Sequence, residues 1–188
     1  MRFSTSSRKT LLAASLAVGA SAVLAVGMLL PGAASAKTLH KPTTVHYWIT
    51  WYGWPDNSPP GPGIAHSGCH TPDGHIVNRA EGVGTYGFPV TYADPQHLNG
   101  PWCQIIYVPK FKKYFMHEDQ CNPCGGQNSS HFDLWIGGDR NSTQNPEHRA
   151  ILNCENTGTG ITSVILNPPT NEPVNTTPAF VPPTTCNV

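Results

Sequence analysis

The chain has 188 residues, with eleven Lys and Arg against eleven Asp and Glu. Three of the basic residues (Arg2, Arg8, Lys9) and none of the acids fall within residues 1–36, so the remainder carries a net charge near −3. That balance argues against a nucleic-acid partner, and residues 37–188 are enough for one domain that buries roughly two thirds of its unfolded surface.

The first element in chain order is a targeting segment. Arg2, Arg8 and Lys9 precede an apolar stretch from Leu11 to Leu30, and Ala34-Ser35-Ala36 supplies the small residues that a signal peptidase needs. Residues 1–36 therefore read as an export signal, which leaves the mature chain secreted, extracellular and free of the membrane. The stretch is also long enough to span a bilayer if uncleaved; its Gly and Ala content and the A-x-A end favour cleavage. Ser7-Arg8-Lys9 lacks the second arginine of a twin-arginine signal, so the export route stays open.

Short runs rich in β-branched and aromatic residues follow: VHYWITWY from Val45, HIVNR from His75, FPVTYA from Phe88, QIIYVP from Gln104, KYFMHED from Lys113, HFDLWIGG from His131, ILNCE from Ile151 and ITSVIL from Ile161. Gly, Pro and Asn separate them, and the pattern predicts six to eight strands in a small closed barrel or sandwich. The one helix candidate is Pro146 to Leu152. "DNSPPGPG" (Asp56 to Gly63) reads as a stiff exposed loop. From Asn167 the prolines favour extended polyproline geometry, so residues 167–188 read as a tail after a barrel domain at 37–166.

Six cysteines, all after the signal, read first as disulfides in an exported chain. Cys186 is expected to tie the tail back to the domain. Cys121 and Cys124 form C-N-P-C, which inside a cell would suggest a redox or zinc site; outside, each is expected to pair with a distant partner. The histidines of "HSGCHTPDGH" (His66, His70, His75) are spaced as a polar loop would be, and neither a metal nor a cofactor is expected. Asn128, Asn141 and Asn175 sit in N-x-S/T sequons.

Three stretches place acids at the end or in the middle of strand-like runs: "VTYADP" (Asp94), "YFMHEDQC" (Glu118, Asp119) and "HFDLWIGG" (Asp133). Burial raises a carboxyl pKa, and a second carboxylate nearby raises it further, which keeps an acid protonated for general-acid work. Each acid alone could instead cap a turn or pair with Lys110, Lys112, Lys113 or Arg140. The three lysines read as a solvated strand edge.

The order T-Y-A-D-P, I-I-Y-V-P, E-D and H-F-D-L-W resembles the 3D domain of the double-psi β-barrel superfamily, with Asp94, Asp119 and Asp133 at the matching positions. "TWYGW" (Thr50 to Trp54) resembles the opening strand of expansins, and "HFDL" their acidic strand, shared with family 45 endoglucanases and barrel-type lytic transglycosylases. The resemblance covers about Val45 to Gly138. It departs at Asp119, which is followed by Gln120 and the Cys-x-x-Cys segment, and at the tail, where expansins carry a sugar-binding domain. It implies an all-β, six-stranded double-psi barrel, probed by a polysaccharide such as peptidoglycan, cellulose or chitin, and a monomer. Asp133 would be the acid facing the polymer. A lytic transglycosylase needs that acid alone, whereas an inverting hydrolase needs a second carboxyl about 6.5–9.5 Å away, for which Asp119 and Asp56 are candidates. An expansin-like binder, or a secreted inhibitor or effector on the same fold, would need no cleavage.

Aromatic rings supply the other half of a glycan site. Along the first strand Tyr47, Ile49 and Trp51 share one face and Trp48, Thr50 and Tyr52 the other, so one set is core and the other is open to ligand. Trp51, Tyr52 and Trp54, with Asp56 and His131, are the expected substrate contacts, and Trp54 beside Pro55 is the leading groove candidate. His131 shares a strand face with Asp133 and could perturb its pKa.

Overall fold

The computed structural model describes residues 41–95, 99–122, 124 and 130–188. The export signal expected at 1–36 and the sequon at Asn128 lie outside the described residues. Six strands form the main sheet: β1 (Thr43–Gly53), β2 (Val90–Asp94), β3 (Ile105–Val108), β4 (Lys113–Gln120), β5 (His131–Gly137) and β6 (Gly160–Leu166). They close into a barrel in the order β1–β5–β2–β4–β3–β6. Closure leaves no unpaired sheet edge. The β1/β5 and β2/β4 pairs are parallel, and the remaining pairs antiparallel. Of the barrel or sandwich of six to eight strands expected from the residue pattern, the fold is the six-stranded closed barrel, all-β in its main sheet and tied by disulfides.

The core follows the period-two alternation of the strands. Ile49, Ile106, Phe115, Phe132, Leu134 and Val164 are fully or almost fully buried, each worth about 1.5–3 kcal/mol of apolar transfer. On β5 the alternation puts Phe132, Leu134 and Ile136 inward, and His131, Asp133 and Trp135 on the other face. Asp133 thus interrupts an apolar run in sequence without entering the apolar core.

Two predicted strands are not strands. Around His75 the Thr71 hydroxyl accepts from the His75 amide at 2.9 Å and bonds Asp73, and this local turn competes with ladder pairing. What remains is an isolated bridge between His70 and Ile76. ILNCE lies inside a helix, α1 (Glu147–Gly158), so the helix candidate at Pro146 to Leu152 was correctly placed but too short. Its buried residues Glu147, Ile151, Cys154, Glu155 and Gly158 recur at helical spacing. Ile151 packs so close to the start of the next loop that a Cβ on Gly53 would lie 2.8 Å from its Cδ1.

The proline-rich residues 167–188 lie along the barrel. Tyr107 and Tyr114 hydroxyls donate to the carbonyls of Pro173 and Pro169 at 2.7 and 2.6 Å. Phe180 is 2% exposed and belongs to a two-stranded ladder, β7 (Phe180–Val181) with β8 (Thr185–Cys186). Cys186 bonds Cys154 of α1, so the expected tie exists. Lys113 is a correction to the solvated edge: it is buried and its Nζ donates to the Asn175 carbonyl. Burial lowers its pKa. Among the described residues no helix is long and apolar enough to cross a membrane.

Candidate functional site: an acidic cleft across four strands

Strand register builds the site. Thr50 of β1 stands opposite Asp133 of β5, Asp133 opposite Ala93 of β2, and Ala93 opposite Asp119 of β4. These four residues form one row across four adjacent strands, and Asp133 and Asp119 stand two strands apart. At about 4.8 Å per strand their Cα atoms are roughly 9–10 Å apart. Ala93 between them contributes only a methyl group, so the row is sunken at its middle.

A β-bulge makes this row possible. Tyr92 pairs with His117 and Ala93 with Asp119, so Glu118 is the extra residue on β4. Such a bulge re-aims the side chains beyond it. Glu118 turns into the interior, where the Thr91 hydroxyl donates to its Oε2 at 2.6 Å. Burial pushes Glu118 up to about 7. Asp119 turns to the cleft.

The cleft holds about 860 Å³. Its floor includes Asp133, Ala93 and Asp119, its far wall Cys121 and Cys124, and its near wall the loop from Asp56 to Ala65. That loop is the stiff segment expected from its prolines. Asn57 fastens it, its Nδ2 donating to the carbonyls of Gly61 and Gly63 at 2.9 and 2.7 Å.

Asp133 is the least satisfied of the floor acids. Thr50 Oγ1 donates to its Oδ1 at 2.7 Å. Desolvation, opposed by that hydrogen bond and reinforced by the charges of Asp56 and Asp119, pushes Asp133 up to about 7. Thr50 Oγ1 also lies 2.7 Å from His131 Nε2, and His131 Nδ1 lies 3.3 Å from the Cys124 carbonyl. Burial holds the His131 pKa below its ordinary value. Thr50 has one hydrogen to give: either to Asp133 Oδ1, with the Asp133 proton on Oδ2, or to a neutral His131 Nε2, with Asp133 donating to Thr50 through Oδ1 and His131 Nδ1–H donating to Cys124. Asp119 is held differently. Its carboxylate accepts from Tyr52 Oη at 2.8 Å, the Ala65 amide at 2.9 Å and the Gln120 amide at 2.8 Å. These bonds lower its pKa, but desolvation outweighs them and the net direction is upward.

At one end of the cleft Asp56 meets a residue that the strand-based reading of ILNCE hid. Glu155, on the face of α1 toward β1, is pushed up to about 10 by burial, by a hydrogen bond with Asp56 and by the charges of Asp56 and Asp133. A protonated Glu155 donating to Asp56 removes one charge from the acidic cluster. The helical spacing of buried positions in α1 was the available signal.

The expected site residues divide into those that the fold gathers and those that it separates. Asp133, Asp119, Asp56 and Tyr52 line the cleft. His131 reaches it through Thr50. Asp94 is fully buried away from the cleft lining, at the end of β2 past the bulge, with its carboxylate accepting from the Asn99 amide and Nδ2 at 2.9 and 3.0 Å. Trp51 also lies on the cleft lining, but it is 5% exposed and its ring packs edge-on against Phe111 at 4.8 Å, so most of the ring belongs to the core. Tyr52 spends its ring against Trp135 and its hydroxyl on Asp119. Trp54 is partly buried against the core rather than on the cleft lining. The exposed ring on the face of Thr50 and Tyr52 is Trp48, 46% exposed. Among the described residues the ion pairs join Glu81 to His75 and Arg79, so neither Asp119 nor Asp133 is tied to a lysine or to Arg140.

Cys121 and Cys124 pair with each other, which corrects the expectation of distant partners; Cys69 and Cys103 pair in turn. The two cysteines stand three positions apart in the segment that follows β4, so no approach of distant strands is needed to bring their sulfurs together.

Residues 44–187 match the family model described as the DDB_G0273701 N-terminal domain. The chain belongs to that family. Within it, the uncharacterized protein DDB_G0273701/DDB_G0273221 of Dictyostelium discoideum is 34% identical over 140 residues, covering 70% of this chain and 55% of that protein. The chain thus spans a little over half the length of this curated relative. No solved structure matches. The matched segment begins at the head of β1 and ends after Cys186, so it includes the whole barrel, the cleft and the proline-rich residues that lie along it.

Proposed function

We propose that the protein is a secreted carbohydrate-active enzyme that cleaves a β-1,4-linked cell-wall polysaccharide, with Asp133 as the proton donor. The observation that carries this reading is the floor row. A carboxyl group with a pKa near 7 lies on the lining of an open cleft of about 860 Å³, flanked across Ala93 by a second carboxyl. An acid poised near neutral pH combines a large protonated fraction with adequate acidity, the condition for general-acid catalysis of glycoside cleavage. Desolvation keeps the proton on Asp133, and the charges of Asp56 and Asp119 add to it. Trp48 offers a flat exposed ring on the same strand face, suited to a sugar. The three disulfides fit an oxidising, extracellular setting. The resemblance to expansins, family 45 endoglucanases and lytic transglycosylases points to the same substrate class.

Asp119 favours one acid over two. Its oxygens already accept three hydrogen bonds, which leaves it poorly placed to deprotonate a water. Transglycosylation needs no such base. The same observation supports the alternative of an expansin-like protein that grips the polymer without cutting it.

Insoluble peptidoglycan, cellulose and chitin are digested with wild type, Asp133→Asn and Trp48→Ala. Anhydro-sugar ends lost in Asp133→Asn, with pelleting retained, support the lyase; new reducing ends would support a hydrolase with Asp56 as base. Trp48→Ala is expected to weaken pelleting about tenfold. Pelleting without products from any variant selects the binding protein. Neither products nor pelleting on any of the three polymers would sink the glycan reading.

A further inference from the structure

The Cys121–Cys124 bond closes a loop with only two residues between its sulfurs, and it stands on the wall of the cleft. Cys69–Cys103 and Cys154–Cys186 span 34 and 32 residues and lie outside that cleft lining. The barrel is already closed by its own ladders, and this bond joins chain segments that adjoin in sequence. A short loop removes less unfolded-state entropy than a long one, so its stabilising effect is the smallest of the three. Its surroundings suit chemistry instead. Cys124 is 8% exposed and Cys121 more open, so an incoming group meets Cys121 first. Cys124 Sγ lies 3.9 Å from Asp133 Oδ2, and Thr50 engages the other carboxyl oxygen, Oδ1. The oxygen nearest the sulfur is thus free of the relay to His131.

We infer that Cys121–Cys124 is a redox-active disulfide that oxidises a dithiol presented in the cleft, with Asp133 as the acid that protonates Cys124 when it leaves. A substrate thiolate attacks Cys121 Sγ. The Cys121–Cys124 bond breaks, and Cys124 leaves as a thiolate and takes the proton from Asp133 Oδ2. The resulting Asp133 carboxylate accepts the proton of the substrate's second thiol. That second thiolate attacks the substrate sulfur of the mixed disulfide, and Cys121 leaves and is protonated from solvent. Two electrons pass from the substrate dithiol to the protein, one disulfide is made and one is broken. The solvent proton taken up by Cys121 balances the one lost when the first substrate thiol ionised. The substrate class is a peptide dithiol: an open cleft of about 860 Å³, lined on the loop side by Pro59, Pro60 and Pro62, has room for a short stretch of chain.

The groups that face Asp133 set the expected pH dependence. They are His131 through Thr50, Asp119 across Ala93, Asp56 from the rim loop and Glu155 from α1, with the Tyr52 hydroxyl engaged by Asp119. Desolvation first, and then the charges of Asp56 and Asp119, hold the Asp133 proton on, whereas Glu155 stays protonated at neutral pH. The acid is therefore available through neutral pH and lost above it.

The test uses the full mature chain under native conditions, with dithiothreitol and a synthetic peptide carrying two cysteines as reductants, alkylation and mass mapping as readout, and rates divided by the thiolate concentration. Cys121–Cys124 is expected to open at least tenfold faster than the other two disulfides, and the peptide to emerge oxidised. Asp133→Asn is expected to slow the opening about tenfold at pH 6, with the difference closing by pH 9. Cys124→Ser, which does not depend on the behaviour of Asp133, leaves Cys121 as a lone thiol that should attack the peptide supplied in its disulfide form and hold it on Cys121 as a mixed disulfide. Equal opening rates for all three disulfides, trapping absent in Cys124→Ser, or a rate indifferent to Asp133 at every pH would overturn the proposal. So would a reduced pair that retains added zinc and no longer reoxidises with glutathione disulfide. No glycan enters these assays, so they stand or fall separately from cleavage of a wall polymer.

Discussion

Asp133 owes its properties to its neighbours more than to its own strand. A carboxyl in water titrates near 4, whereas here partial burial and two nearby carboxylates move it to about 7. The sign of the stability effect follows. The folded state holds a proton that the unfolded chain has released, so stability is fully present below about pH 4 and declines as pH rises through 7. Three pKa units correspond to about 4 kcal/mol. Asp133→Asn is expected to raise the unfolding free energy by up to that amount at pH 8.5 and to change it little at pH 4, as urea titrations at the two pH values would measure. An Asn variant less stable than wild type at pH 8.5 would contradict the account. Thr50 works in the opposite direction: its hydroxyl donates to the ionised form, so Thr50→Val should push the Asp133 titration higher still, read by side-chain carboxyl NMR.

At the scale of elements, the cleft depends on how loops reach the strands. Thr91 of β2 bonds its amide to the Glu81 carbonyl at 3.0 Å, and the Glu81 amide bonds the Thr91 hydroxyl at 3.1 Å. This seam brings Gly82 against the chain before β2. Gly82 has φ +110°, and a Cβ there would stand 1.8 Å from the Pro89 carbonyl oxygen. Both the left-handed backbone and the collision with main chain exclude a side chain. Gly82→Ala should therefore cost about 2–4 kcal/mol, checked by denaturant unfolding. A loss under 0.5 kcal/mol would mean that the seam yields and does not hold β2 in register.

At the scale of the whole molecule, buried carboxyls dominate the response to pH. Glu118 and Asp133 titrate near 7, Glu155 near 10, and Asp119 is displaced in the same direction. Each favours the protonated form in the folded state, so their combined effect lowers stability from about pH 5 toward pH 10. His131, held neutral by burial, acts oppositely as pH falls below about 6. The melting temperature should accordingly be highest near pH 5 and fall steadily toward pH 9, measured by calorimetry in buffers of one ionic strength. A flat profile or a maximum above pH 8 would show that these acids ionise freely in the folded protein.

The amino-acid sequence determined the fold class and the identity of the chemistry-bearing residues. Period-two runs such as HFDLWIG specify strands whose two faces differ; the eight runs left six to eight strands in a barrel or a sandwich, and the resemblance to double-psi barrels implied six in a closed sheet. Asp133 and Asp119 could be named as candidates because a carboxylate beside an apolar run is costly and calls for a reason. The proline-rich loop from Asp56 was legible because proline restricts backbone geometry locally. Tertiary structure decided the rest, because it rests on contacts between distant segments. Register across β1, β5, β2 and β4 set Asp133 and Asp119 in one row and left Asp94 buried at the end of β2. A single-residue bulge chose Asp119 over Glu118 for the cleft. The helical frame of ILNCE, ambiguous in so short an apolar run, carried Glu155 to Asp56. Cys121 was left to pair with Cys124 because the fold joins the other four cysteines to one another across 34 and 32 residues, which no count of cysteines contains.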